Sequence, residues 1–179
     1  MSRFEFLAVF VSIIFGLSLT HVLSGAMRSI YRKTFDQSHL VLTGFILLVL
    51  ILNWWMTFAW SDQEVWTLNL FLIMITWAIS HYVVAITLYP PDSPGGLGFD
   101  DRRAWFFGAF VGVTIFDILQ TAARGDLFSP WYYLPFVLHL TALSTIAIFF
   151  RNALFHKILA WYFLIIMVTW SLIVRRFLE

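Results

Sequence analysis

Polar side chains that could do chemistry stand inside long apolar stretches of this sequence. Asp117, His139 and Asn53 each lie within a different stretch. If the stretches are helices that cross a membrane alternately, a rise of about 1.5 Å per residue places all three roughly 10 to 12 Å below the same surface. An ionisable group at such depth costs about 2.5 to 3.5 kcal/mol on insertion scales, so it usually faces a bundle interior or a wet cavity. We therefore predict one polar layer to which three helices contribute.

Asp117 is the residue of this layer that is best suited to bind a proton or a small cation. We expect His139 to be its partner or relay, and Asn53 to be a neutral hydrogen-bonding neighbour. Gln120 and Thr121 follow one turn further out, and we place them at the mouth of the same site. The alternative is a structural hydrogen bond between two helices, which is worth about 0.6 to 2 kcal/mol in membranes.

A second polar layer is formed by His21 and His81, which lie at matching depths near the opposite surface. They could hand an ion on toward the cytoplasm. They could also ligate a b-type haem, since small residues near His21 leave room for a flat ring. Plain hydrogen bonds between helices are the third interpretation. Our expectation is that the protein has no cofactor, with haem b and a membrane redox subunit as the alternative. His39 and His156 are expected to be solvated at the membrane interface.

Enzyme chemistry has little support in the sequence. Cysteine is absent, which excludes disulfides, thiolate metal sites and cysteine nucleophiles. No zinc-protease motif occurs, and no metal can be named from the sequence. A lipid-modifying enzyme that uses Asp92, Asp100 and Asp101 with a divalent cation remains an alternative, because hard cations prefer carboxylate oxygens. We expect a protein that is not an enzyme.

The elements that position these residues are six apolar stretches of bilayer-spanning length, and 61% of the residues are hydrophobic. A spanning helix needs about 20 mainly apolar residues. We therefore predict an all-α integral membrane protein in which residues 1–179 form a single polytopic domain, a six-helix transmembrane bundle. The first stretch is expected to be a retained helix rather than a signal peptide. The predicted spans are 4–23, 40–60, 65–88, 104–122, 131–150 and 158–174.

Two longer connections separate the stretches. We expect 25–39 to be a solvated basic loop, with an interfacial helix as the alternative. Segment 89–103 is rich in proline and glycine, and we expect it to be irregular. Of the 11 Lys and Arg residues, seven flank the odd-numbered connections and four lie on the other side. This bias predicts cytoplasmic odd-numbered loops, extracytoplasmic termini and a location in the cell membrane.

Aromatic residues at the ends of the stretches predict lipid-facing anchors at the membrane interfaces. The residues are Trp60, Trp66, Trp131, Tyr132, Tyr133 and Trp161.

The chain also shows signs of two related halves. With an offset of 96 residues, the first stretch aligns with the fourth and His21 falls opposite Asp117. Segment 71–77 resembles 164–170, and both end in Thr-Trp. Two halves of three spans each must insert in opposite orientations, which is the inverted-repeat plan of many transporters. The alignment therefore predicts two inverted three-helix halves.

Packing signals indicate association with other chains. Gly108 and Gly112 are spaced so that another helix backbone can approach closely. We expect a homo-oligomer in the lipid bilayer, with a partner membrane subunit as a further possibility and no nucleic-acid partner. The function that the sequence favours is a proton or small-cation channel or transporter. The haem-bearing redox subunit and a non-catalytic assembly or interaction subunit are the alternatives.

Overall fold

Apolar runs without internal proline or turn residues become long helices, because a backbone in a bilayer must satisfy its own hydrogen bonds. The computed structural model describes residues 3–33, 36–90 and 99–173, without the side chains of 99–101 and 173. In this part of the chain the prediction of an all-α fold is confirmed. The six helices are α1 (Arg3–Tyr31), α2 (Gln37–Met56), α3 (Leu68–Leu88), α4 (Phe99–Arg124), α5 (Tyr133–Phe149) and α6 (Ala153–Ile173). A 3₁₀ turn, Thr57–Trp60, extends α2.

Five of these helices, all except α5, are long and apolar enough to cross a membrane. The prediction of a multi-pass membrane protein is therefore supported in this general form. Helix α5 has 17 residues, which gives it a length of about 25 Å against a hydrocarbon core of about 30 Å. Trp131, which is 79% exposed, lies just before α5 and is suited to anchor its start at the membrane interface.

The predicted loops differ from the observed ones at both long connections. Residues 25–31 belong to α1, so the connection to α2 is only 32–36 and the prediction of a loop over 25–39 is wrong. In this extension of α1, Gly25 packs tightly against Tyr89 at the end of α3. Helix α4 begins at Phe99, within the segment expected to be irregular. Residues 91–98 of that segment, Asp92 among them, lie outside the described residues, as do the side chains of Asp100 and Asp101.

Consecutive helices run antiparallel, and they are arranged as a ring in the order α1, α3, α4, α5, α6, α2. The main packing pairs are α3 with α4, α4 with α5, α2 with α6, α1 with α3 and α1 with α2. Between α5 and α6 the ring is closed by Phe136 and Trp170, whose rings stack with centroids 3.9 Å apart. We call the end of the bundle at which α2 and α4 terminate the Trp60 end, and the end at which α3 terminates the Tyr89 end.

The centre of the ring is filled by aromatic side chains. Phe45 of α2, Phe110 of α4 and Phe163 of α6 contact one another with ring centroids 5.2 to 6.2 Å apart. Helices in lipid gain little from apolar burial, so close packing of such rings is a main source of stability. Outward-facing apolar residues, such as Ile13 with 57% and Leu72 with 50% of their surface exposed, are suited to contact lipid tails.

The helix packing does not follow the two-fold pattern expected of inverted halves. Helices α2 and α6 pack together, and symmetry would place α5 against α3 in the same way. Helix α5 packs chiefly against α4 instead. This packing gives the predicted inverted halves no support, and they stay a prediction from the sequence.

The two small residues Gly108 and Gly112 of α4 face away from the other helices. Apart from its chain neighbours and the backbone of α4 itself, a methyl group added at either position would meet no described atom within 4 Å. The pair therefore does not serve helix packing within the described monomer. The expected homo-oligomer and partner subunit stay predictions.

Candidate functional site

The carboxylate of Asp117 lies on α4 between α3 and α5, and both neighbours donate hydrogen bonds to it. The indole Nε1 of Trp77 donates to Oδ1 at 3.1 Å. The hydroxyl of Tyr133 lies 2.7 Å from Oδ2. On its own helix, Gln120 Nε2 lies 3.4 Å from Oδ1. Asp117 therefore has nitrogen or hydroxyl donors on both of its oxygens.

This arrangement extends to α2 through a chain of side chains. Trp60 Nε1 donates to Gln120 Oε1 at 3.0 Å, and Gln120 Nε2 donates to Thr121 Oγ1 at 3.0 Å. The hydroxyls of Thr121 and Tyr133 are 2.9 Å apart. We call these residues, Trp60, Trp77, Asp117, Gln120, Thr121 and Tyr133, the Asp117 network. The network joins α3, α4 and α5 to the 3₁₀ turn that ends α2.

The hydroxyl of Tyr133 has more acceptors within reach than it has protons. Besides Oδ2, it lies 3.1 Å from the backbone oxygen of Asp117 and 2.9 Å from Thr121 Oγ1. A phenol has one proton to donate and can also accept. When Tyr133 donates to the backbone oxygen or to Thr121, Asp117 can itself carry a proton and donate it to Tyr133. The same atoms thus accommodate both the ionised and the protonated carboxyl.

A cavity of about 100 Å³ opens beside Asp117 near the Trp60 end. A water molecule occupies about 30 Å³ in the liquid, so the cavity has room for about three. Its lining residues come from α2, α4, α5 and α6, and the polar ones are Asn53, Thr114, Asp117, Gln120, Thr121, Arg124 and Tyr133. Arg124 pairs with Asp126, whose side chain is 45% exposed, so this edge of the cavity reaches the bundle surface.

The structure brings together three of the predicted site residues. Asn53, Asp117 and Gln120 line the same cavity. Thr121, which we expected at the mouth of the site, lines this cavity as well. Asn53 uses its side-chain amide to bond the backbone oxygen of Val49 at 3.0 Å. The use of these residues in an ion pathway stays a prediction.

His139 lies elsewhere, so it is not the partner of Asp117 that the sequence predicted. It is exposed on α5, and its Nε2 lies 2.6 Å from the hydroxyl of Tyr162 on α6. The reason is its direction around the helix. Tyr133, Val137 and Leu140 are buried on one side of α5, and a turn of 3.6 residues places His139 about a third of a revolution away. The sequence predicted how deep His139 lies in the membrane, but it did not predict the direction of His139 around α5.

Two aromatic residues of the Asp117 network were missed by the sequence reasoning. Trp60 and Tyr133 were expected to be lipid-facing anchors, but they are only 1% and 6% exposed. Trp77 was not singled out, and it is 1% exposed. A usable signal was present for Tyr133, which shares the buried side of α5 with Val137 and Leu140. A buried Tyr or Trp needs a partner for its polar atom, and Asp117 provides one.

The two histidines of the second layer lie in separate environments. His81 is 2% exposed, with its ring 5.0 Å from Phe15 and 5.1 Å from Trp77 between centroids. Its Nδ1 donates to the backbone oxygen of Trp77 at 2.8 Å. His21 Nε2 instead lies 2.6 Å from the backbone oxygen of Tyr89. The two imidazoles thus bond different backbone oxygens, and the haem alternative stays a prediction.

His39 and His156 are buried, at 6% and 4% exposure, which corrects the expectation that they are solvated. His39 Nε2 lies 3.0 Å from the backbone oxygen of Leu88, and His156 Nε2 lies 2.8 Å from that of Phe150. Both carbonyls are at helix C-termini, where backbone oxygens lack partners within the helix. Buried imidazoles provide those partners here.

Tyr89 is held at the Tyr89 end by side chains of α1 and α2. Its hydroxyl lies 2.7 Å from Thr43 Oγ1, and its ring lies 4.6 Å from that of His39. Gly25 faces the same ring, so closely that a methyl group there would come within 2.3 Å of Tyr89 Cγ. Burial raises the pKa of the Tyr89 phenol, which therefore keeps its proton for this hydrogen bond.

Comparisons of the chain with models of known protein families, with curated proteins and with solved structures found no match. Its function is therefore argued from its own residues.

Proposed function

We propose that this multi-pass membrane protein moves protons across the bilayer, and that Asp117 takes up and releases the proton. The observation that carries the proposal is the position of Asp117. Its carboxyl lies on the wall of a cavity in an apolar bundle and is held by donors from two neighbouring helices. Ionisable residues inside membranes usually mark ion or proton pathways.

The groups around Asp117 favour a proton over a metal cation. Hard cations need several oxygen ligands that act as acceptors. Three groups that contact this carboxyl, the indole of Trp77, the amide of Gln120 and the hydroxyl of Tyr133, can all donate. Tyr133 can also accept when Asp117 carries a proton. The site therefore suits a group that alternates between ionised and protonated forms.

The size of the cavity supports the same choice. About 100 Å³ is enough for a short file of about three waters. Waters between the Arg124–Asp126 pair and Asp117 would connect the carboxyl with the Trp60 end. By the distribution of basic residues we expect that end to face the extracytoplasmic side.

Proton flux into reconstituted vesicles tests the proposal. Purified protein is placed in liposomes that contain a pH-sensitive dye, and a potassium diffusion potential drives proton entry. We expect Asp117→Asn to lower the flux by about a hundredfold, the loss typical of removing a positioned proton-transfer group. The matched control is Asp62→Asn, the same chemical change at an exposed residue of the Trp60 end, and we expect it to keep wild-type flux.

Two results would contradict the proposal: wild-type flux no higher than that of empty vesicles, or equal flux in wild type and Asp117→Asn. The second candidate, a non-catalytic assembly subunit, is favoured by one observation. The Asp117 network ties the end of α2 to α3, α4 and α5, so it can serve as a structural lock. If the network is only a structural lock, we expect Asp117→Asn to lower the unfolding temperature. In that case neither the wild-type protein nor Asp117→Asn conducts protons.

A further inference from the structure

We infer that Trp77 is the barrier of the proton pathway and that His81 is the proton-binding group on its far side. This inference rests on the proposed function of Asp117 and assigns the next two groups of the same pathway. All three residues are described, and Trp77 contacts both of the others.

Trp77 interrupts the hydrogen-bonded chain that begins at the cavity. Its indole N–H donates to Asp117 Oδ1 at 3.1 Å, and an indole nitrogen can donate but cannot accept. A proton on Asp117 therefore cannot move through Trp77 by exchange along hydrogen bonds. The side chain is 1% exposed and packs edge-on against Phe15, with centroids 5.4 Å apart. The indole is thus buried between Asp117 and Phe15.

His81 carries a basic nitrogen without a partner. The backbone oxygen of Trp77 can only accept, so His81 Nδ1 must hold a proton in their 2.8 Å hydrogen bond. Neutral imidazole then has its lone pair on Nε2. Among the residues that the structure describes, this buried Nε2 has no hydrogen-bond partner. Leaving a buried polar atom unpaired destabilises a fold, and binding a transferred proton is a use that accounts for it.

The order of the three groups fits a pathway along α3. His81 follows Trp77 by four residues, which places it about 6 Å nearer the Tyr89 end. Asp117 meets Trp77 from the cavity side. A proton that passes from Asp117 to His81 therefore requires the indole to move aside.

Protonation of Asp117 is expected to release the barrier. An N–H bond to an ionised carboxylate is roughly twice as strong as one between neutral groups. The ionised Asp117 therefore holds the indole in place, while the protonated form holds it weakly. In this arrangement the barrier is closed when Asp117 is ionised and can open when Asp117 is protonated.

The variants His81→Asn and Trp77→Phe test the two assignments in the vesicle assay. Asn53 already bonds the backbone oxygen four residues before it, so an asparagine at 81 can keep the bond to Trp77 while lacking a basic nitrogen. We expect His81→Asn to lower flux by about a hundredfold, as for loss of a proton-transfer group. Trp77→Phe removes the N–H that holds the barrier closed, and we expect at least a severalfold higher flux.

The matched control is Trp105→Phe, the same change at a residue that is 76% exposed. We expect it to leave the flux unchanged. If Asp117→Asn abolishes flux but both His81→Asn and Trp77→Phe retain wild-type flux, the inference is overturned and the proposed function stands. If wild-type protein gives no flux, or Asp117→Asn conducts as well as wild type, the proposed function itself fails.

Nitrogen-15 NMR of the wild-type protein with labelled histidine does not depend on whether a variant folds. His81 bonds a carbonyl through Nδ1, whereas three of the other four histidines, His21, His39 and His156, bond carbonyls through Nε2. Its tautomer therefore helps to identify its signal. We expect its Nε2 to gain a proton over the pH interval in which flux rises. An Nε2 that stays unprotonated throughout that interval would overturn the assignment.

Discussion

Gly25→Ala tests how closely the end of α3 is held against α1. An added methyl group at position 25 would lie 2.3, 2.5 and 2.7 Å from three carbons of Tyr89. Tyr89 cannot easily yield, because it is 7% exposed and its hydroxyl is bonded to Thr43. Overpacking of this kind typically costs about 1 to 3 kcal/mol.

Gly16→Ala is the matched control for this variant. Gly16 lies in the same helix, and a methyl group there would meet nothing within 4 Å. Alanine favours a helix interior over glycine by about 0.5 to 1 kcal/mol, and this gain is common to both variants. The difference between them therefore reports the clash alone.

Thermal unfolding in one detergent, followed by tryptophan fluorescence, measures that difference. For a chain of this size, 1 to 3 kcal/mol corresponds to a separation of about 2 to 12 °C in unfolding temperature, with Gly25→Ala the lower. If Gly25→Ala unfolds at the same temperature as Gly16→Ala or above it, the close contact between Gly25 and Tyr89 is refuted.

Two further predictions concern the walls of the bundle. Tyr133→Phe removes a hydroxyl that contacts Asp117 and Thr121. We expect this variant to have a lower proton flux and to be less stable by about 1 to 3 kcal/mol. Tyr132→Phe is the matched control, and equal flux and unfolding temperatures in the two variants would contradict the role of Tyr133. His139→Gln changes an exposed residue that contacts Tyr162, and we expect its vesicle flux to equal that of wild type; a large loss would return His139 to the pathway.

The helices could be predicted from the sequence because each of them corresponds to one uninterrupted apolar run of residues. An apolar run of bilayer length has few alternatives to a helix. The ends were less certain, because they depend on tertiary contacts. Residues 25–31 read as a basic loop, yet they are helical where Gly25 meets Tyr89.

The site could be predicted only in part, since depth along a helix follows from residue number but direction around it does not. Depth grouped Asn53 with Asp117 and placed Gln120 one turn further out, and all three residues line one cavity. Because of its direction around α5, His139 contacts Tyr162 instead of Asp117. Tyr133 of the same helix contacts Asp117. Residues of one polar layer can therefore belong to different faces, and the packing of α5 against α4 decides which face is inside.

Buried aromatic donors were the least predictable part of the site. Tryptophan and tyrosine near helix ends are usually interfacial anchors, and Trp131, with 79% of its surface exposed, fits that role. Trp60 also lies near a helix end, but it donates to Gln120 inside the bundle. Trp60 is the last residue of the 3₁₀ turn that follows α2, and no sequence pattern had indicated this turn.

Infrared difference spectroscopy on the reconstituted protein tests the uptake of a proton by Asp117 most directly. A protonated carboxyl has a carbonyl stretching band that its ionised form lacks. We predict such a band in wild type that appears as pH falls through the interval in which flux changes, and that is missing from Asp117→Asn. Identical difference spectra for wild type and Asp117→Asn over that interval would contradict the assignment of Asp117 as the proton-binding group.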